Sequence, residues 1–236
     1  MKKLFLLAIA STGLFVACTP ENNPLVLSDQ EAAQSLAYSI AEDQNGVLAQ
    51  FSDAINYVDS TGVCAFSGDS SIHKKSKDGA SSIFDYNLNY IFNRTCNGDN
   101  PANFTLTADG SGFYDASKMS ATDNVGLQLS IAGLSDAADF YSVNASYTRV
   151  GTFKSKILSF LGFENDIKLN LFNIKLNKAS EKAFAGTGTC KIVSNPTVGK
   201  TIYFNASITF IGQRTSFIKI NGKTFLFDLV TGEIIQ

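Results

Sequence analysis

Few side chains in this sequence have the type and spacing that catalysis demands. His73 is the only histidine, and it stands in the basic, polar stretch Ile72-His73-Lys74-Lys75-Ser76-Lys77. It reads as a solvated loop histidine. A Ser/His/Asp or Cys/His arrangement would have to use it, and no Gly-x-Ser-x-Gly elbow occurs. A histidine metal cluster needs more than one histidine. Asn97-Gly98-Asp99-Asn100 carries oxygens without the spaced acidic ligands of a calcium loop, and reads as a turn. The 21 acidic residues allow carboxylate pairs in space, which spacing alone does not reveal. Gly110-Ser111-Gly112 and Gly186-Thr187-Gly188 do not lead from a strand into a helix, as a phosphate cradle must. They read as places where a backbone or a helix packs closely. No catalytic residue, metal ligand or cofactor is expected.

Chemistry of another kind is expected at the N-terminus. Lys2 and Lys3 precede an apolar run from Leu4 to Phe15, and small residues then lead into Cys18. The run is shorter than the ~20 residues that span a bilayer and matches the apolar part of an export signal. With its cysteine, the stretch resembles a bacterial lipoprotein signal, although Phe15 stands where that family usually has Leu. The resemblance implies cleavage before Cys18, acylation of its thiol and acylation of the new N-terminus. Several acyl chains hold a protein at a membrane essentially permanently, each buried methylene contributing about 0.8 kcal/mol.

Setting Cys18 aside leaves Cys64, Cys96 and Cys190. An export compartment permits disulfides, and an odd count leaves one thiol over. Cys64 and Cys96 bracket an expected hairpin with its loop at His73 to Ser81, which places them opposite each other. Closing that ring contributes roughly 3–4 kcal/mol on the loop-entropy model. Cys190 shares its phase with Phe184 and Ile192 and reads as a small buried apolar residue.

The elements that must position these groups follow from periodicity. Without 17 of its 236 residues, two of them lysines, the chain keeps 219, with 17 basic against 21 acidic side chains, a net charge near −4. Nothing in that balance forms a basic stripe for nucleic acid. Residues 1–17 form the signal, and residues 18–27 a lipidated linker. Residues 28–61 form a helical segment and residues 62–236 a β domain. Ser28-Asp29-Gln30-Glu31 reads as a capping box. Behind it Ala33, Leu36, Ala37, Ile40, Val47, Phe51, Ile55 and Val58 recur at helical spacing, with Asn45-Gly46 set to kink or split the helix. From Gly62 the period becomes two, most clearly in Phe84, Tyr86, Leu88, Tyr90 and Phe92. Similar runs are Phe104–Ala108, Val125–Ile131, Tyr141–Tyr147 and Ile202–Phe210. The phase change between Leu171 and Phe172 predicts a β-bulge. Asn221-Gly222 predicts a type I′ hairpin. Nine or ten strands with short turns imply a mainly β, antiparallel meander, as a sandwich or a curved half-barrel-like sheet, with one N-terminal amphipathic helix packed on it.

Two surface readings complete the list. Leu158, Phe160, Leu161 and Phe163 lie between strands where a polar turn is the rule, and read either as an exposed apolar contact loop or as a loop folded onto the core. Asp59-Ser60-Thr61 looks like an O-glycosylation site of Bacteroidota envelope proteins, at Ser60. The lipobox, the cysteine pair around an aromatic strand, Asn144–Thr152 and Ile218–Thr224 together resemble Bacteroidota lipoproteins of no established activity. That resemblance implies a membrane-anchored envelope lipoprotein, held through its acyl chains. Its β domain reads as a non-enzymatic binding or structural module, with an envelope protein as partner. The alternative is a carrier of a lipid or other hydrophobic ligand within a curved sheet. Thr19-Pro20-Glu21-Asn22-Asn23 lacks the acidic cluster that resembles surface-export signals in these bacteria, which favours the periplasmic face of the outer membrane.

Overall fold

The structure is a computed structural model that describes residues 26–60, 64–135, 137–157, 162–197 and 199–235. Ten strands run β1 (Phe66–Lys75), β2 (Ile83–Asn97), β3 (Asn100–Asp115), β4 (Met119–Ala132), β5 (Phe140–Ser155), β6 (Gly162–Asn177), β7 (Ala183–Pro196), β8 (Ile202–Phe210), β9 (Thr215–Ile220) and β10 (Lys223–Asp228). Each pairs antiparallel with the next, in one sheet whose spatial order is the chain order and which does not close into a barrel. Of the two arrangements that alternation allows, the single sheet is the one observed, and there is no second sheet to make a sandwich among the described residues.

Alternation sorts the side chains as expected. Tyr86, Leu88, Tyr90, Phe104, Leu106, Val125, Leu127, Tyr147 and Ile208 all face inward and are buried. Most hydroxyls, amides and charges face outward, so that along β4 every second residue, from Met119 to Ile131, is buried. The expected bulge exists: Val143 pairs with Ile174 and Ala145 with Leu171, so Asn144 faces both Phe172 and Asn173. At the β9–β10 turn Asn221 and Gly222 both have positive φ, 49° and 81°, as the type I′ geometry requires.

The helical segment divides where the sequence suggested. α1 (Asp29–Ile40) ends at Ala41, a short 3-10 turn covers Glu42–Gln44, and α2 (Val47–Ser60) follows. Asn45 takes the left-handed conformation at φ 51°. A Cβ on Gly46 would lie 2.5 Å from the carbonyl oxygen of Ala41, so only glycine fits the chain crossing there. The N-cap of α1 is made by side chains, Ser28 and Glu31 satisfying each other's backbone donors, as read from the sequence, and its C-cap is the Ala41 N–H donating to the Ala37 carbonyl.

α1 departs from expectation in one respect. An amphipathic helix on a sheet keeps a solvated face, yet all ten residues from Glu31 to Ile40 are buried. The sheet, the C-terminal tail and the 3-10 turn enclose it, so its polar residues are bonded within the protein instead of to water. Gln34 donates to the Gly232 carbonyl (2.6 Å), Ser39 to the Ser35 carbonyl (2.8 Å), and Asn165 to Ser35 (3.3 Å). α2 lies against β1 and β2 through Asp53, which binds Lys74 (2.8 Å) and accepts from the Tyr90 hydroxyl (2.7 Å).

Candidate functional site

The strongest concentration of ionisable groups lies between α1 and the centre of the sheet. It is built by register. Tyr86, Gly112, Asp123 and Gly151 are successive cross-strand partners on β2, β3, β4 and β5. A Cβ on Gly112 would sit 2.5 Å from the Tyr86 ring, and one on Gly151 would sit 2.6 Å from the Asp123 backbone. The two glycines therefore open the space in which Tyr86 reaches across β3 to Asp123. Its hydroxyl donates to both carboxylate oxygens, at 3.0 and 3.1 Å.

Arg149 enters this space from β5, two residues from Gly151. Its Nε donates to Asp123 Oδ2 at 2.9 Å, and both side chains are 0 % exposed. Nη1 donates to the Tyr38 carbonyl (3.1 Å), Nη2 to the Gln44 carbonyl (3.2 Å), and Nη2 also meets the Tyr86 hydroxyl. The guanidinium lies 4.7 Å from the centre of the Tyr114 ring and 5.5 Å from that of Tyr86. Neither helix carries a basic residue in its last turn. Arg149 supplies the missing positive charge to the last carbonyls of α1 and the 3-10 turn, where the helix dipole is negative. Arg94 of β2 does the same for α2, donating to the Val58 carbonyl at 3.2 Å.

Burial dominates the electrostatics. It pushes the Asp123 carboxyl above the usual range, with Arg149 and Tyr86 pulling the other way. Burial opposes the charge on Arg149, but the Asp123 carboxylate and the ring of tyrosines outweigh it and hold Arg149 protonated. Tyr147 is pushed up to about 12 by burial, against the pull of Arg149. Perturbed ionisation of this kind marks active sites when the groups line a cleft. Here the guanidinium has no exposed surface, and its donors are spent on a carboxylate, a phenol and two carbonyls. The arrangement joins helix to sheet.

A second cluster holds the C-terminal tail to α1. Tyr38 and Ser117 donate to Glu233, and Lys118 lies 2.8 Å from its other oxygen. Burial raises the Glu233 carboxyl, but Lys118, Ser117 and Tyr38 together hold it below its ordinary 4.5.

The residues singled out by sequence fall in separate places. A disulfide joins Cys64 to Cys96, with Cα atoms 5.9 Å apart. The β1–β2 register pairs Phe66 with Arg94, and continuing it by two residues sets the cysteines opposite each other. His73 is not in the loop, which is a correction: β1 runs on to Lys75, and His73 is an exposed strand residue 2.8 Å from Asp85. Cys190 is buried on β7, and burial raises its thiol. Both Gly-x-Gly stretches lie within strands, β3 and β7. Phe163 is not part of an exposed tip. It faces inward on β6, 1 % exposed, and stacks on Phe153 at 5.9 Å. Cys18, Leu158, Phe160, Leu161 and the side chain of Ser60 lie outside the described residues. Asp123 and Arg149 were missed as a pair, although Arg149 continues the inward phase of Tyr141, Val143, Ala145 and Tyr147. No family model, curated protein or solved structure matches the chain.

Proposed function

We propose that the protein is a lipid-anchored protein of the cell envelope, whose β domain is a non-enzymatic binding or structural module. The observation that carries the second half is the covered inner face of the sheet. An acyl chain held on that face would need the space that α1, α2 and the Arg149 cluster occupy. The same burial denies a substrate access to Asp123 and Arg149.

The first half rests on the lipobox at Cys18, and the described chain is compatible with it. Among the described residues no helix is long and apolar enough to cross a membrane. The eight steps from Cys18 to Val26 span at most ~28 Å, which keeps α1 close to the anchor. Ser155, the last residue of β5, donates to Glu31 in the first turn of α1 (2.6 Å). The C-terminal end of β5 therefore lies beside the first turn of α1.

Metabolic labelling with palmitate tests the anchor. The wild-type chain takes up label and Cys18→Ser does not; label on the variant would remove the basis of the proposal. Native mass spectrometry of gently purified protein tests the module against the carrier. Apoprotein mass supports a module, and stoichiometric retained lipid would make it a carrier whose helices move aside. Protease treatment of intact cells decides the side of the membrane, and survival of the protein supports the periplasmic face.

A further inference from the structure

We infer that the free edge of β1 pairs with the same edge of a second copy of this chain, joining two sheets about a two-fold axis at Ile72. The strand order leaves β1 at one margin of the sheet, ten residues long and with no described strand on its outer side. The Ser76 N–H donates to the Phe84 carbonyl, so along β1 it is the even-numbered residues that bond to β2. The N–H and C=O groups of Ser67, Asp69, Ser71, His73 and Lys75 therefore point away from the sheet. Such a row is a ready template for another strand.

The opposite margin is largely closed. The C-terminal tail folds back on β10: Ile235 donates to the Leu226 carbonyl (2.8 Å), Asp228 to that of Glu233 (3.0 Å), and Phe227 bridges Ile234. Pairing of β1 with β10 of another copy, which would propagate into a fibre, has only the stretch Lys223 to Phe225 left to use. A contact of β1 with β1 closes on itself after two copies.

The order of side chains selects both partner and register. Asp69 and Lys75 face outward and are exposed, and neither forms an ion pair with a described residue. Antiparallel pairing centred on Ile72 sets Asp69 opposite Lys75 of the second copy, twice by symmetry, and Ser71 opposite His73. Opposite charges facing across two strands stabilise the pair, and like charges destabilise it. On the inner side Ile72 meets Ile72 of the second copy, with Cβ atoms about 5 Å apart. Beside Ile72 a hollow of about 320 Å³, lined by Asp53, Asn56 and Tyr57 of α2, has room for that added side chain.

Lys74 narrows the choice further. Asp53 holds its ammonium inward (2.8 Å), a guard against strands that would set an apolar or basic side chain opposite it. In the register centred on Ile72 it meets Ser70, which is small and polar. A shift of two residues one way would set Ile72 against Lys74. The same shift the other way would set Ile72 against Ser70 and part Lys75 from Asp69. The favoured register exchanges about eight backbone hydrogen bonds between copies. That is a small interface, so association depends on concentration. The inference goes beyond the proposed function and does not depend on the anchor.

The test is sedimentation equilibrium of purified full-length protein in density-matched detergent, over roughly 1–200 µM, where small interfaces associate. The wild-type chain should pass from monomer to dimer and no further. Asp69→Lys and Lys75→Asp should each weaken dimerisation roughly tenfold, because two symmetry-related pairs turn from attraction to repulsion. Asp69→Lys combined with Lys75→Asp should restore it, which separates a lost contact from a lost fold. Ser71→Pro removes an N–H that points out of the sheet, where an edge strand accepts proline. It should give a monomer with the circular dichroism of the wild type. A monomer throughout the range, a dimer unaffected by Ser71→Pro, or a charge swap that fails to restore association would overturn the inference. So would growth beyond the dimer, since it would mean that the β10 edge pairs as well. Palmitate labelling is indifferent to these substitutions, so the anchor and the dimer fail independently.

Discussion

Arg149 holds four partners and touches no water, and its replacement has an asymmetric effect. Removing it alone leaves Asp123 buried beside uncompensated carbonyls, which in other proteins destabilises by about 3–5 kcal/mol. Arg149→Met should therefore lower the urea-unfolding free energy by that order. Arg149→Met combined with Asp123→Leu should recover a large part of it, because no lone charge remains. A double variant as unstable as the single one would show that the carbonyl contacts to Tyr38 and Gln44 dominate. Glu233 gives a pH-dependent counterpart. Its folded form is held below the ordinary 4.5, so the folded state favours the carboxylate. That contribution is complete above pH 4.5 and is lost as pH falls through the folded value. Glu233→Gln should flatten the fall in stability below pH 4.5, measured by denaturant midpoints, while lowering stability at pH 7. The signal for Arg149 and Asp123 was present in the sequence as charges standing in the apolar phase of two strands. It was outweighed there because neighbouring aromatic residues made each strand readable without them. Their pairing depends on register, which a single strand does not display.

Elements were more legible than sites, because periodicity reports on each strand separately. The hairpin at Asn221-Gly222, the capping box and the helix break at Asn45-Gly46 are all local, carried by two to four residues each. The extent of β1 was less legible. Lys74 reads as loop in a polar run, but its ammonium turns inward to Asp53 of α2, a partner 21 residues away in no predictable register. An inward charge on an edge strand also guards it against pairing with another sheet. At the other edge the tail bridges Phe227 through Ile234. The Cys64–Cys96 bridge staples the β1 edge near the end of the β1–β2 pairing. Its removal by Cys64→Ala with Cys96→Ala should cost about 3–4 kcal/mol by thermal or urea unfolding, as the ring size predicts. A loss below 1 kcal/mol would mean that α2 and the Asp53 contacts already hold that edge.

At the scale of the molecule, alternation establishes that each strand buries one face, and a sandwich and a covered single sheet satisfy that equally. What decides between them is whether the helical segment supplies enough buried surface to replace a second sheet. Here it does so by burying α1 on every side. The glycine pair at Gly112 and Gly151 shows how closely sheet and helix are matched. Gly112→Ala should displace Tyr86 from Asp123 and lower the unfolding midpoint, although position 112 is a strand residue that ordinarily gains from a side chain.

The tail that meets α1 has a consequence for timing. Gln34 bonds to Gly232, 198 residues away, and Ser155, Glu233 and Asn221 close on the same helix from 124 to 195 residues downstream. The first helix to be synthesised has no tertiary home until the last residues exist. Contacts of such long sequence separation make folding slow, since loop closure precedes any reward. A chain built this way keeps α1 unseated until synthesis reaches the tail. Deleting residues 229–236 should accordingly yield a β domain unable to seat α1, seen as early protease cleavage within residues 29–40.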